Sequence, residues 1–331
     1  SIVTPYLSAR ALRAPYSGLR GMVSEVCWDL PPYPEVATPG YGSATTTGCL
    51  ERLERLCKKY PWLRGSRVWA GVSMAGMALC SDELLVGGTK ALADKYGVTM
   101  DMHRGWDDAN PADLAHLHEL GVLGTNVQLV HMCRANAEDV DLLRQSGTSV
   151  VHCPAASARV AIGVTRHSLI PEMLAAGVNV SLGSDSGNYS DFFDVGRQMY
   201  LAAVLHREAR GDMPTVSAET AFEMATINGA LALGIEDHVG SLEEGKRADI
   251  VIHRGTGSRP ELRPSRNDAL NTLVYSAQSV GVDTVLVDGE IVLERGEFTR
   301  VDGVSELDAV DRAAAGLRDR MGWADASRWP V

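Results

Sequence analysis

His103, His131, His152 and Asp185 each close a short apolar run, in the segments VTMDMH, VQLVH, SVVH and VSLGSD. Imidazoles and a carboxylate are the usual donors to a catalytic zinc, which keeps one position open for water. A lone buried histidine is more often a satisfied core residue than a ligand. Four such groups closing four consecutive runs point instead to a shared centre. Asp185, as metal ligand or as base for a metal-bound water, has to be ionised beside a cation. The apolar run before it sets its direction. The turn Gly183-Ser184-Asp185-Ser186-Gly187 lets backbone come close and supplies hydrogen bonds to the carboxylate.

Convergence of this kind needs parallel strands whose ends meet. From Leu19 the chain repeats a unit of apolar run, small or polar residues, then helical pattern. The runs are LRGMVSEV, RVWAGVSM, YGVTMDMH, NVQLVHM, TSVVHCP and VNVSLGSDS. Between them CLERLERLCKKY, SDELLVGGTKALADKY, NAEDVDLLRQSG and SLIPEMLAAG carry apolar residues at three- and four-residue spacing. The alternation predicts an α/β fold with helices outside a parallel sheet, doubly wound or closed as a barrel. Gly97, Gly147 and Gly177 are expected to stop helices in the left-handed conformation. After Thr215, TVSAETAFEMATINGALALG reads as helix. VGSLEEGKRADIVIHRG and VDTVLVDGEIVLERGEF then read as short strands with a hairpin at Asp288-Gly289. VSELDAVDRAAAGLRDRMGWAD reads as a closing amphipathic helix. No GxGxxG or Walker loop follows any run, which removes a nucleotide-binding doubly wound fold.

The 331 residues, 45% hydrophobic and 22% charged, suit an ordinary globular protein with one large domain and room for a small one. A net charge of −11 opposes non-specific binding to nucleic acid or to an anionic membrane. No apolar run approaches the ~18 residues of a membrane span, and no basic-then-apolar leader is recognised. Cys27, Cys49, Cys57, Cys80, Cys133 and Cys153 are scattered without a CxxC pair. Reduced thiols in a cytoplasmic protein are expected.

The stretch LVHMCRANAEDVDLLRQSGTSVVHCPAASARVAIGVTRHSLIPEMLAAGVNVSLGSDS resembles the amidohydrolase superfamily, in the branch of cytosine, guanine and S-adenosylhomocysteine deaminases and triazine hydrolases. INGALALGIEDHVGSLEEGKRADIVI resembles that family's return from barrel to small β-sandwich, and VDTVLVDGEIVLERGEF its last sandwich hairpin. The resemblance implies a TIM-type (β/α)8 barrel, here lacking strands 1–2, and the C-terminal part of a sandwich. Residues 1–236 would form the barrel, 237–300 part of the sandwich and 301–331 a helical tail. It implies one divalent metal, zinc with iron as the alternative, held by His103 and Asp185. Asp185 would also take a proton from the nucleophilic water, and His131 would polarise the substrate or hold its leaving group. His152 either lines the pocket or makes a structural hydrogen bond. The implied reaction is attack of metal-activated hydroxide on an sp² carbon of a small heterocycle, expelling ammonia, an amine or chloride. The implied state is a homo-oligomer.

Three departures stand out. The His-x-His pair of the family's first strand is not seen, and the one such pair, His116-Leu117-His118, lies in PADLAHLHELG. There Asn110-Pro111 predicts a cap and a first-turn proline, so the two rings point about 200° apart on a helix and cannot share an ion. A fragment of a longer enzyme is the expectation; the alternative is a catalytically inactive scaffold of the same fold. Trp106 stands where many relatives have a proton-shuttling Glu. It could wall a flat heterocycle or cover the barrel rim, while Asp107 or Asp108 is out of step as a replacement. Asp101, two residues before His103, is a candidate to orient it. Met74 and Met77 occupy a position where several deaminases have a histidine, and read equally as core filling. After Asp185, Asn188 and Tyr189 are expected in the pocket, and Asp194 with Arg197 as a helical ion pair.

Overall fold

The computed structural model describes residues 17–30, 45–63, 65–76, 79–106, 108, 111–190, 192–254, 268–277, 279 and 281–322. Met77, Asp107, Asn110, Asp191 and residues 323–331 of the expected tail lie outside the described residues, as does the side chain of Asn188.

The six apolar runs form parallel strands in chain order. The first is broken into β1 (Gly21–Val23) and β2 (Val26–Cys27), the second into β3 (Val68–Ala70) and β4 (Val72–Met74). β1 pairs with β3, and β2 with β4. The sheet continues through β5 (Met100–Arg104), β6 (Val127–His131), β7 (Ser149–His152) and β8 (Val180–Leu182). It is the open part of a TIM-type barrel; among the described residues the sheet does not close on itself.

Helices return the chain after each strand. α1 (Thr46–Lys59) is capped by the Thr45 hydroxyl, ends in Lys58 and Lys59 beside its negative pole, and buries Cys49, Leu53 and Cys57 at four-residue spacing. A wide helical segment, Leu84–Lys90, leads into α2 (Ala91–Tyr96), stopped by Gly97 in the left-handed conformation. α3 (Leu114–Glu119) begins three residues later than Pro111 predicted, because Asp113 sits at φ 48° and breaks the chain's entry into the helix. His116 and His118 are on it as expected, and His116 Nε2 lies 2.8 Å from Asp82 Oδ1. α4 (Ala137–Ser146) opens on a reciprocal Asn136–Asp139 capping box. α5 (Pro154–Arg159) and α6 (Ile170–Ala175) both lie between β7 and β8 in the chain. After β8 come the single turn α7 (Gly187–Ser190) and the long α8 (Val195–Arg210). Asp194 is the cap of α8, accepting from the Arg197 backbone N–H at 3.0 Å, so the expected side-chain ion pair is a capping bond instead. The next helical pattern splits at Thr226 into α9 (Ala218–Ala225) and α10 (Ile227–Ala232).

Period-two alternation sorts the strands into two faces. Met102, Leu129, Val150 and Val180 are fully buried against Leu117, Leu143 and Met173 of the helices. Val130, Val151 and Cys153 form a separate cluster on the barrel-inner face. Because the side-chain period is two, His103 shares that inner face with its register partner Val130.

The small antiparallel sheet orders β12-β11-β10-β9 from β9 (Ile250–His253), β10 (Val282–Val287), β11 (Glu290–Glu294) and β12 (Glu297–Phe298). The short α11 (Ala269–Thr272) precedes β10. Asp288 at φ 57° and Gly289 at φ 80° make the expected hairpin turn. Arginines tie this sheet to the barrel: Arg20 Nε lies 2.5 Å from Asp249 Oδ2, and Arg67 Nη1 2.9 Å from Glu290 Oε2. α12 (Gly303–Met321), capped by Asp302, closes the described chain. Among the described residues no helix is long and apolar enough to cross a membrane.

Candidate active site

At the C-terminal ends of β5, β6 and β8, three of the four strand-end groups come together. His131 Nε2 lies 3.7 Å from Asp185 Oδ2, and the His103 and His131 ring centroids are 5.1 Å apart. Strict alternation would send His131 to the helix-facing side with Leu129. It turns inward because His131 and Met132 both adopt left-handed backbone, φ 81° and 51°, and Met132 takes the buried outer position instead. Asp185 is also left-handed, at φ 63°. Such conformations are uncommon for non-glycine residues and are held only where surrounding structure enforces them.

The enforcement is visible around both residues. The Met132 N–H donates to the Arg104 carbonyl at 3.0 Å and the Arg134 N–H to the Gly105 carbonyl at 3.0 Å, continuing the β5–β6 ladder past the kink. Gly183 donates to the His152 carbonyl at 2.9 Å, and a Cβ there would stand 2.9 Å from Val151 Cγ1 and 3.0 Å from Cys153 Sγ. A side chain there would press both aside just before Asp185. The Ser186 N–H then donates to Asp185 Oδ1 at 2.6 Å, and the Ser184 hydroxyl to the Asp185 carbonyl at 3.2 Å. On the far side Gly76, φ 68°, admits the His103 carbonyl where a Cβ would meet it at 2.2 Å.

Burial pushes the His131 imidazole well below its ordinary pKa, with His103 and His152 adding repulsion. Burial also lowers His103, against the opposing pull of the Asp185 carboxylate. Both rings are therefore held neutral, the form that accepts a proton or donates a lone pair. Burial drives the Cys153 thiol well above its usual value, and the Asp185 charge adds to this, so it stays a neutral wall.

Trp106 stands over this cluster, its ring centroid 4.5 Å from His131 and 5.7 Å from Tyr189, edge to face with each. Tyr189 is 38% exposed. Asp101 is buried below His103, and burial raises its carboxyl to about 7 against a hydrogen bond from Ser73. Among the described residues its hydrogen-bond partner is Ser73, in register across β4 and β5, rather than His103.

For His152 the sequence leaves two readings open, a pocket wall and a structural hydrogen bond. The residue falls on the helix-facing side of β7 with Val150, where its Nε2 lies 3.1 Å from Nε2 of His206 on α8. Of the two readings of this residue, the structural hydrogen bond matches the geometry. His206 carries no strand-end signal, and only its packing against β7 reveals it.

His103, His131 and Asp185 have donor chemistry that suits zinc. Among the described residues, however, no three His, Cys, Asp or Glu side chains are placed to hold one ion. A zinc takes four ligands, so these groups account for one side of a centre.

The family model described as the amidohydrolase family matches residues 2–292. The chain belongs to that family. It is 38% identical over 189 residues to a 5-methylthioadenosine/S-adenosylhomocysteine deaminase of Moorella thermoacetica, covering 57% of this chain and 43% of the relative. It is 33% identical over 218 residues to an S-triazine hydrolase of Gordonia rubripertincta, covering 63% of this chain and 44% of that one. The chain thus spans about half the length of these amidohydrolases. Its fold matches a zinc-bound adenosine deaminase from Xanthomonas campestris at a TM-score of 0.84 and 23% identity, over 96% of this chain and 70% of that structure.

Proposed function

We propose that the protein is a metal-dependent hydrolase that opens a C–N or C–Cl bond of a small heterocycle. The observation that carries this is the inward-turned His131 beside Asp185 and His103, roofed by Trp106. A bound divalent ion, zinc by the donor set and by the zinc-bound adenosine deaminase of like fold, would supply a water of lowered pKa. His103 and Asp185 would hold one side of it, with the remaining ligands outside this described set.

The roles of the chain's own groups follow from placement. Asp185 Oδ2 takes the proton of the attacking water as its oxygen bonds to the ring carbon, and gives it to the departing amine as the C–N bond breaks, or to solvent where chloride leaves. His131 Nε2 faces the same space and hydrogen-bonds the leaving amine or stabilises the departing chloride. Trp106 and Tyr189 would wall two sides of a flat ring, Asn188 precedes Tyr189 in the same turn, and His152 braces β7 through His206 without touching substrate. Trp106 leaves no proton-shuttling carboxylate at its position, which favours substrates whose leaving group departs readily. The curated relatives named for adenosine derivatives and triazines mark the substrate classes to screen, and offer no support for an inactive scaffold. Residues 1–236 would act as the barrel, 237–300 as sandwich and 301–331 as tail, in a cytoplasmic protein.

The test is hydrolysis of adenosine derivatives, guanine and chloro- or amino-triazines by the protein, with ammonia or chloride release as readout and metal content measured alongside. Turnover that vanishes in Asp185→Asn with the metal still bound supports the proton-accepting role. Full turnover in that variant removes the mechanism.

A further inference from the structure

α12 buries none of its 19 residues, although an amphipathic helix of that length ordinarily has a cover. Val304, Leu307, Val310, Leu317 and Met321 are between 51% and 71% exposed. Leu307, Val310, Ala314, Leu317 and Met321 follow one another at three, four, three and four residues, the a/d spacing by which two helices interlock. An apolar seam of that period on a helix about 28 Å long is ordinarily covered.

The charges say what covers it. Glu306, Asp308 and Asp311 fall in the first half of α12, which has no Lys or Arg; Arg312, Arg318 and Arg320 fall in the second half with the single acid Asp319. Acid first and base last also suits the helix's own dipole, so the charges alone would not call for a partner. The seam does call for one, and the charges then choose it. Two copies laid parallel would set acid against acid and arginine against arginine. Two copies laid antiparallel set each acidic half against the other's basic half, with the small Ala313-Ala314-Ala315-Gly316 stretch near the middle letting the backbones approach. That arrangement is two-fold symmetric and self-complementary.

We propose that α12 is a dimerisation helix that pairs antiparallel with α12 of a second copy of this chain.

Light scattering and sedimentation of the whole protein over a nanomolar-to-high-micromolar series test it. A dimer is expected. Leu307→Glu with Leu317→Glu should raise its dissociation constant about a hundredfold or more, since a buried leucine is lost from each helix at two positions. Far-ultraviolet dichroism should show the body of the protein unchanged. Glu306→Arg with Asp311→Arg, and separately Arg318→Glu with Arg320→Glu, should each self-associate poorly and pair when mixed. For orientation, Glu306→Cys mixed with Arg320→Cys should form an intermolecular disulfide that neither variant forms alone. A wild-type monomer throughout the series would overturn the proposal, as would a dimer indifferent to the leucine substitutions. Self-cross-linking of Glu306→Cys would overturn the antiparallel arrangement.

Discussion

Two histidine pairs in this molecule have the same ring separation, 5.1 Å, and nearly the same tilt, 47° and 43°. His103 and His131 meet at the strand ends beside Asp185, beneath an aromatic roof. His152 and His206 meet in the layer between β7 and α8, fully buried, with the two Nε2 atoms 3.1 Å apart. Burial lowers the pKa of all four rings. Among the described residues, the first pair alone has a carboxylate within 4 Å and left-handed backbone at one of its histidines. Residue type and spacing are therefore shared by a candidate reaction centre and a packing joint. Strain and a facing carboxylate distinguish them, because a protein keeps such strain where it needs a side chain aimed against the regular alternation.

The comparison breaks most sharply at Asp185. Asp185→Asn should lower turnover about a thousandfold or more. The thermal midpoint should hold, because asparagine tolerates φ near 63°. A large fall in midpoint would mean that the carboxylate is chiefly structural. His206→Ala should do the reverse. Leaving His152 without its partner beside a cavity should cost about 2–4 kcal/mol in urea unfolding, while kcat/KM of the folded fraction changes little. Loss of activity beyond the loss of folded protein would place that pair in the chemistry.

pH sharpens the same contrast. Burial, reinforced by the Arg210 guanidinium, lowers His206 to about 4, and burial lowers His152 in the same direction. The unfolded chain binds those protons near pH 6.5, so it holds more protons than the folded chain between the two values. The stability these rings confer is whole above that pH and is lost as pH falls toward 4, by ~1.4 kcal/mol per unit for each histidine. Urea midpoints from pH 7 down to 4 should slope accordingly, and His206→Phe should flatten the slope. The smallest effect is expected at Trp106→Ala, where KM should rise about tenfold with a lesser change in kcat. An unchanged KM would make Trp106 a rim cover instead of a substrate wall.

Much of this architecture is legible in the sequence. The six runs became six parallel strand positions because apolar runs separated by capped helical segments have few other ways to bury both faces. Asp288-Gly289 became a hairpin because two consecutive left-handed residues admit few alternatives. Helix starts were less legible: Pro111 marked a start that Asp113 delayed, since a backbone break is invisible in composition. The same limit applies to Asp194, whose cap looked like an ion pair at three-residue spacing.

The sequence by itself determined which groups stand at strand ends, and hence that His103, His131 and Asp185 were candidates for one centre. Local chain physics, period two in strands and 3.6 in helices, is enough for that. Only the tertiary structure decided which way each ring points. His131 turned inward through two left-handed residues, and His152 stayed outward to meet a helix residue 54 positions away. Those choices depend on which distant side chains fill the space on either face of a strand, and spacing along one chain does not carry that information.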